Sequence, residues 1–356
     1  MGTAEETRHL LRSRPNPARV SLVVPIYNEE AALPALREAL TAFLPELPCE
    51  AEVVLVNDGS TDGTLGLLAG WAAADVRIKV IHLSRNFGHQ LAATAGLDYA
   101  SGDAVVLMDA DLQDPLAVIR EMLARYREGY DVVYGQRVAR PGETAIKRLT
   151  AWAFYRLMRM AVDQRLPLDT GDFRLISREC LEGLQQLREQ HRFLRGMVAW
   201  VGYPQCAVPY RRAPRVAGAT KYPMWKMLRF AWTAATSFST LPLRLCIMLG
   251  LTFGLFAVEE MVRSLWGLYH GRTVPGWTSL MVLTSVIGCA MLLGLGILGQ
   301  YVGRIYEETK GRPLYLVART FNTGPRSVPR GDSANAGAAA ESDRSGRSAA
   351  SSPRRS

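Results

Sequence analysis

The run VVLMDADLQDP, residues 105–115, carries four apolar residues into three carboxylates. Asp109 and Asp111 flank a single residue, and in extended backbone residues two apart point to the same side, so both acids can face one ion. Neither His nor Cys adjoins them in the sequence. Hard oxygen donors of this kind suit Mg²⁺ or Mn²⁺, which keep waters and bridge to phosphates. Gln113 offers a further oxygen, whereas Asp114, directly before Pro115, suits an N-terminal cap on the helix that follows. Acids after a strand also form ordinary solvated turns, so the surrounding elements must decide between the two readings.

Those elements alternate. VSLVVPIY, AEVVLVND, RIKVIHLS, DAVVLMDA and YDVVYGQR read as strands. EEAALPALREALTAFL, TLGLLAGWAAA, QLAATAGLDYA and PLAVIREMLARYREG carry apolar residues at helical spacing between them. Strand–helix–strand repetition with short connections predicts an α/β fold whose parallel sheet is covered on both faces. Such sheets bind ligands beyond the carboxyl ends of their strands. Asn28, Glu29, Asp58, Ser84, Arg85, Asp109, Asp111 and Arg137 all fall at those ends, which favours a site over a turn.

The chain of 356 residues has a formal net charge of +9. Its basic residues are not interleaved with stacking aromatics, which argues against nucleic acid; anionic lipid head groups or a phosphorylated substrate fit better. Cys49, Cys180, Cys206, Cys246 and Cys289 lie far apart without CxxC spacing, against zinc and a disulfide framework and in favour of a reducing compartment. The opening MGTAEETRHLLRSRPNPARV has no apolar core and does not read as a signal peptide. The soluble part is therefore expected in the cytoplasm.

Residues 273–302 hold no charge and exceed the roughly 20 residues that a spanning helix needs. Trp277 and Tyr301 stand where interfacial aromatics would. Residues 245–258 are also uncharged, but Glu259, Glu260 and Arg263 follow; an interfacial helix competes with a span there. The expectation is a two-helix transmembrane hairpin over residues 241–303, with Arg263 pairing Glu259 one turn away. Lys226, Arg229 and Arg244 flank its entry and Arg304, Lys310 and Arg312 its exit, which predicts both ends on the cytoplasmic side. Residues 304–323 form a juxtamembrane segment, and 324–356, mostly Ala, Ser, Arg, Gly and Pro, a basic tail without enough apolar residues for a core.

PIYNEE after the first strand, VNDGSTDGT after the second and DADLQDP after the fourth resemble the family 2 glycosyltransferases over residues 19–240, behind an N-terminal segment at 1–18. The resemblance implies a GT-A-like (Rossmann-like) nucleotide-sugar domain. It implies that Pro25, Tyr27, Glu29 and Asp58 hold the nucleoside, Asp58 accepting from a base N–H. It also implies that Asp109, Asp111 and Gln113 hold a divalent ion on the donor diphosphate, where the ion stabilises charge on the departing nucleotide and gives Asp111 a catalytic part. LSRNFGHQLAATAGL, YGQRVAR, TGDFRLISR, FLRGMVAWVGY, GATKYPMWKM, SFSTLPLRL and GQYVGRIYEETKGRPLY resemble more narrowly the polyisoprenyl-phosphate glycosyltransferases, which include bactoprenol glucosyltransferases and, more distantly, dolichyl-phosphate mannose synthase. The implied activity is inverting transfer of one sugar from a nucleotide-sugar, with UDP favoured, to an undecaprenyl-type phosphate. The implied setting is the cytoplasmic face of the plasma membrane, in a multi-pass homo-oligomer with both termini cytoplasmic.

Asp172, in TGDFRL, occupies the position that the resemblance assigns to a catalytic base. A phosphate acceptor is already largely ionised near neutral pH, its second pKa being about 6, so orientation of the acceptor or sugar suits Asp172 equally. A structural pairing with Arg174 or Arg178 is the bland alternative. Arg137, Arg215 and Lys221 are candidates for the acceptor phosphate because Arg binds phosphate bidentately, with Arg148, Arg211 and Arg212 behind them; simple attraction to lipid competes at each. His89 and His191 have no visible partner and read as surface or core residues. A processive polysaccharide synthase on the same fold would carry a QxxRW motif, which QHRFLRGMVAW lacks. A non-catalytic scaffold would be expected to have lost acids at strand ends, yet Asp58, Asp109, Asp111 and Asp172 are all present.

Overall fold

Strand β1 (Arg19–Ile26) is buried at every position after its first, as a central parallel strand must be. It pairs in parallel with β2 (Glu50–Asn57) on one side and β4 (Ala104–Leu107) on the other, and β2 pairs in parallel with β3 (Ile78–Leu83). Beyond these lie β5 (Val132–Arg137), β6 (Thr170–Ser177), β7 (Gln205–Tyr210) and β8 (Val317–Phe321). The computed structural model describes residues 11–138, 170–211, 241–270 and 276–324. Within them one eight-stranded sheet runs in the order β7-β5-β6-β4-β1-β2-β3-β8.

The sheet is mixed, which corrects the expectation of a parallel one. β6 lies between β4 and β5 and is antiparallel to both, and β8 is antiparallel to β3. The reversal matters for the site. β6 sets Arg174 opposite Leu107 and Ser177 opposite Ala104, so its first residues, Thr170 to Asp172, lie beside the carboxyl end of β4. A strand entering that edge delivers side chains there as surely as one leaving it.

Alternation of strand residues feeds two cores. Val20, Leu22, Val24 and Ile26 face α1 (Leu33–Phe43), α2 (Thr64–Ala74) and α4 (Val118–Arg127). Val23, Val54, Val56 and Val105 face α3 (His89–Tyr99), α5 (Arg178–Gln186) and α6 (Leu194–Val201). α3 sits very close to the sheet: a methyl added at Gly96 would lie 2.3 Å from Val23 Cγ1, so glycine sets the depth at which this helix, and the residues of its first turn, approach the strand ends.

The opposite edge of the sheet is fastened by a buried carboxylate. Glu52 Oε1 accepts from Ser21 Oγ and Ser101 N, each at 2.6 Å, while Oε2 accepts from Ser101 Oγ at 2.6 Å and Lys79 Nζ at 2.5 Å. Burial alone would raise the carboxyl pKa, but the bonds from Lys79, Ser101 and Ser21 outweigh it and hold the group below its ordinary value. A depressed folded pKa contributes stability that is complete above the unfolded value, about 4.3 for Glu, and is lost as pH falls through the folded one. Glu52→Gln should therefore cost about 2–4 kcal/mol near neutral pH by leaving Lys79 unpaired, and should flatten the acid limb of a Tm-versus-pH curve.

Two long helices, α7 (Leu241–Tyr269) and α8 (Trp277–Thr309), pack against each other. Exposed apolar side chains run along both, among them Leu251, Leu255, Trp266, Leu292, Leu295 and Leu298, more surface than a chain surrounded only by water leaves bare. Among the described residues one segment, Val286–Thr309, is long and apolar enough to cross a bilayer, with mean hydropathy 1.8. α7 carries Arg244, Glu259, Glu260 and Arg263, and charges at bilayer depth are costly. The tail at 325–356 lies outside the described residues.

After α8 the chain returns to the α/β domain. Leu314 and Tyr315 are buried in the second core, and the Tyr315 hydroxyl donates to Asp98 Oδ2 at 2.7 Å. Arg188 donates to both oxygens of the same Asp98, at 3.0 and 2.9 Å. β8 thus completes the sheet edge, and the residues just after α8 pack into the α/β domain.

Candidate active site

The loops leaving β1 and β2 bind each other. Asn28 N donates to Ser60 Oγ and Thr61 N to Asn28 Oδ1, both at 2.9 Å, and Gly63 N to Glu30 Oε2 at 2.9 Å. Asn28 takes φ 52°, a left-handed conformation that Asn tolerates better than most residues. Tyr27 is exposed at 45% beside this zipper, Glu29 is half-buried, and Pro25 is buried within β1 opposite Val56. Asp58, buried, turns its carboxylate onto the loop entering α3: Oδ1 accepts from Phe87 N at 2.7 Å and Oδ2 from Gly88 N at 2.9 Å. Burial raises its pKa despite those two donors. Gly59, φ 63°, allows the turn, since a Cβ there would lie 2.3 Å from the Arg85 carbonyl carbon.

The loop after β4 is bent by Leu112 at φ 52°. Gln113 N donates to Asp111 Oδ1 at 3.1 Å, and the Gln113 side chain is buried with its Oε1 lacking a hydrogen-bond partner. Burial, with Asp172, Asp114 and Asp111 nearby, raises the Asp109 pKa against the opposing pull of His89. Among the described residues no group of three or more His, Cys, Asp or Glu side chains forms a ready metal cage. Even so, crowded acids and an orphaned buried carbonyl oxygen on one loop are a donor set that a hard divalent cation would satisfy.

Asp172 faces this loop from β6 and is gripped on both oxygens. Gln90 Nε2 donates to Oδ2 at 3.2 Å, His89 Nε2 lies 3.4 Å from Oδ2, and Arg195 Nη2 donates to Oδ1 at 3.2 Å. His89 Nε2 also lies 3.6 Å from Asp109 Oδ1. Burial opposes ionisation of Asp172, but the His89 contact and the charges of Arg195 and Arg174 prevail, holding the carboxyl far below its ordinary range. The buried Arg174 guanidinium donates to Gly171 O at 3.1 Å, and its pKa is lowered to about 10 by burial.

Arg137 ends β5 at the same edge. Its Nε donates to Tyr210 Oη at 3.3 Å and its Nη2 lies 4.0 Å from Asp114 Oδ1. Gly171 leaves room for it, because a Cβ there would lie 2.6 Å from Arg137 Nη2. The Tyr210 hydroxyl donates to the buried Asp114, and burial together with that bond pushes its pKa up to about 12. Asp114 does not cap α4, whose N-terminus has no side-chain cap, contrary to the sequence expectation. Arg211 is exposed at the end of β7. Arg215 and Lys221, with Arg148 and Arg212, lie outside the described residues.

Residues 21–184 match the model of glycosyl transferase family 2. An uncharacterized glycosyltransferase of Bacillus subtilis, YkcC, is 44% identical over 302 residues, covering 85% of this chain and 94% of that protein. The chain belongs to glycosyl transferase family 2. The SfII prophage-derived bactoprenol glucosyl transferase of Shigella flexneri is 39% identical over 311 residues, covering 86% of this chain and 100% of its own length. A solved mannosyltransferase from Pyrobaculum calidifontis, with GDP-mannose and Mn²⁺, is 18% identical, with a TM-score of 0.40, over 80% of this chain and 90% of that one. The mixed α/β sheet of this glycosyltransferase is GT-A-like, in keeping with its family.

The glycosyltransferase edge therefore gathers Asp58, Asp109, Asp111, Gln113, Arg137 and Asp172 as the sequence suggested, and adds His89, Gln90, Arg195 and Tyr210, which it did not. His89 stood in NFGHQ, yet its acidic partners come from β6 and from the loop after β4, so sequence proximity offered no sign of them. Gln90, one residue on, links two elements: its Oε1 accepts from Leu194 N at 2.9 Å while its amide holds Asp172.

Proposed function

We propose that this enzyme transfers a single sugar, with inversion, from a UDP-sugar to a polyprenyl phosphate of the undecaprenyl type at the cytoplasmic membrane face. The reading rests on one observation: similarity to bactoprenol glucosyl transferase runs the whole length of that protein, and the acids and cations of one sheet edge suit the chemistry. Asp109, Asp111 and Gln113 would hold Mg²⁺ or Mn²⁺, which supplies charge stabilisation for the departing diphosphate. Tyr27, Glu29 and the zippered loops border the nucleoside end, with Pro25 behind them and Asp58 fastening the adjoining loop. Arg137 offers the acceptor phosphate a cation held in place by Tyr210, with Arg215 and Lys221 as further candidates. An acceptor oxygen attacks the anomeric carbon from the face opposite the nucleotide, the glycosidic bond to phosphate breaks, and the electron pair leaves with the diphosphate. A phosphate with a second pKa of about 6 is already ionised, so Asp172 orients rather than deprotonates.

The topology supports two spans. α8 ends close to residues that join the α/β domain, so its last turn lies on the domain's side. If α8 crosses the bilayer, the chain must also cross between residues 211 and 276. α7, with 29 residues, reaches about 44 Å at 1.5 Å per residue. Both termini then lie on the cytoplasmic side, and α7 and α8 supply a surface for a homo-oligomer.

Membranes bearing the full chain, given radiolabelled UDP-glucose, UDP-N-acetylglucosamine, UDP-galactose or GDP-mannose with polyprenyl phosphate, should yield a lipid-linked monosaccharide from one UDP-sugar. A polymeric product, or label released only as free sugar, would sink the proposal.

A further inference from the structure

A histidine stands between the acid assigned to the donor side and the acid assigned to the acceptor side. His89 Nε2 is 3.6 Å from Asp109 Oδ1 and 3.4 Å from Asp172 Oδ2. These two partners belong to different elements, and His89 to a third. Its own place is tightly defined: Asp58 fixes the two preceding backbone N–H groups, and Gly88, at φ 98°, turns the chain into α3. Nothing about the helix calls for a basic residue there, because the first turn of a helix disfavours cations. The side chain remains 43% exposed toward the crevice, so it is not a packed core histidine either.

We infer that His89 is a positioning residue for sugar transfer, setting the orientation of Asp172 relative to Asp109. Gln90 and Arg195 hold Asp172 from the side of α6. Neither contact ties Asp172 to the loop that carries Asp109. The β4–β6 ladder sets the backbone spacing of the two acids, and His89 touches both carboxylates, so their relative orientation depends on its ring. The inference rests on the transfer reaction proposed above and adds a residue to it.

The test uses the full-length chain in detergent with the UDP-sugar identified in the membrane assay, polyprenyl phosphate and Mn²⁺. His89→Ala should lower kcat about 30-fold, within the ~100-fold that a misplacement near 1 Å can cost. KM for both substrates, Mn²⁺ affinity read by electron paramagnetic resonance, and Tm should stay close to wild type. His89→Gln, whose amide can still donate to Asp172, should recover most of the lost kcat. The inference is overturned if His89→Ala keeps kcat near wild type, or if Mn²⁺ affinity falls with it, which would make His89 part of the ion site. It is also overturned if His89→Gln recovers nothing while Tm drops, the mark of a merely structural role. Absence of transfer by the wild-type protein would sink the proposed function and this inference together; wild-type transfer with an unimpaired His89→Ala would sink the inference alone.

Discussion

Asp111→Asn is expected to reduce sugar transfer by at least ~10³-fold, about 4 kcal/mol of transition-state stabilisation, without unfolding the protein. The substitution is nearly isosteric, and an Asn oxygen can still accept from Gln113 N, the 3.1 Å bond that shapes the loop. What it removes is charge. Asp109 already shows the crowding of this loop, its pKa raised by burial and by Asp172, Asp114 and Asp111. A divalent cation would reverse that penalty, and the orphaned Gln113 Oε1 would gain a partner. Mn²⁺ binding measured by electron paramagnetic resonance should weaken in parallel with activity. Transfer retained by Asp111→Asn would refute the ion assignment while leaving the family membership untouched.

Asp172→Asn should lower kcat by about 10²-fold or more, with little change in KM for the nucleotide-sugar. A neutral amide cannot engage His89, Gln90 and Arg195 as the carboxylate does, and Arg174 and Arg195 would lose their shared counter-charge. The pH profile separates two roles. Asp172 is held far below the ordinary carboxylate range, so the wild-type residue stays ionised throughout pH 5–9. As an orienting group it should make the ratio of wild-type to variant kcat flat across that range, measured with saturating donor and acceptor. A ratio that rises with pH near neutrality would instead mark a general base with a raised pKa.

Much of the first half was legible because local rules carried it. Five short apolar runs separated by helical periodicity gave β1 to β5, and their carboxyl ends predicted the edge at which Asp58, Asp109, Asp111 and Arg137 stand. β6, by contrast, carries a motif in the sequence but no sign that it is a strand running against its neighbours. A run of alternating residues has no direction until its partners are known. The antiparallel strand is nonetheless what brings Asp172 to the edge, by its first residues rather than its last. β8 escaped for a similar reason: VARTF has only weak alternation, and it is the free edge of β3 that makes it a strand. The place of Asp114 before Pro115 suggests a helix cap, but Tyr210, distant in sequence, donates its hydroxyl to that carboxylate.

By itself the sequence determined the residue types at the strand ends, the apolar stretch within α8, and the family, because these depend on spacing within a few residues of each other. Only the tertiary structure decided who meets whom: Asp172 with His89, Gln90 and Arg195, and Asp58 with the backbone of the loop entering α3. Those contacts include residues 82 positions apart, such as Gln90 and Asp172. Packing of α3 through Gly96 and the reversal of β6 create them, and neither leaves a local pattern from which the pairings could be read.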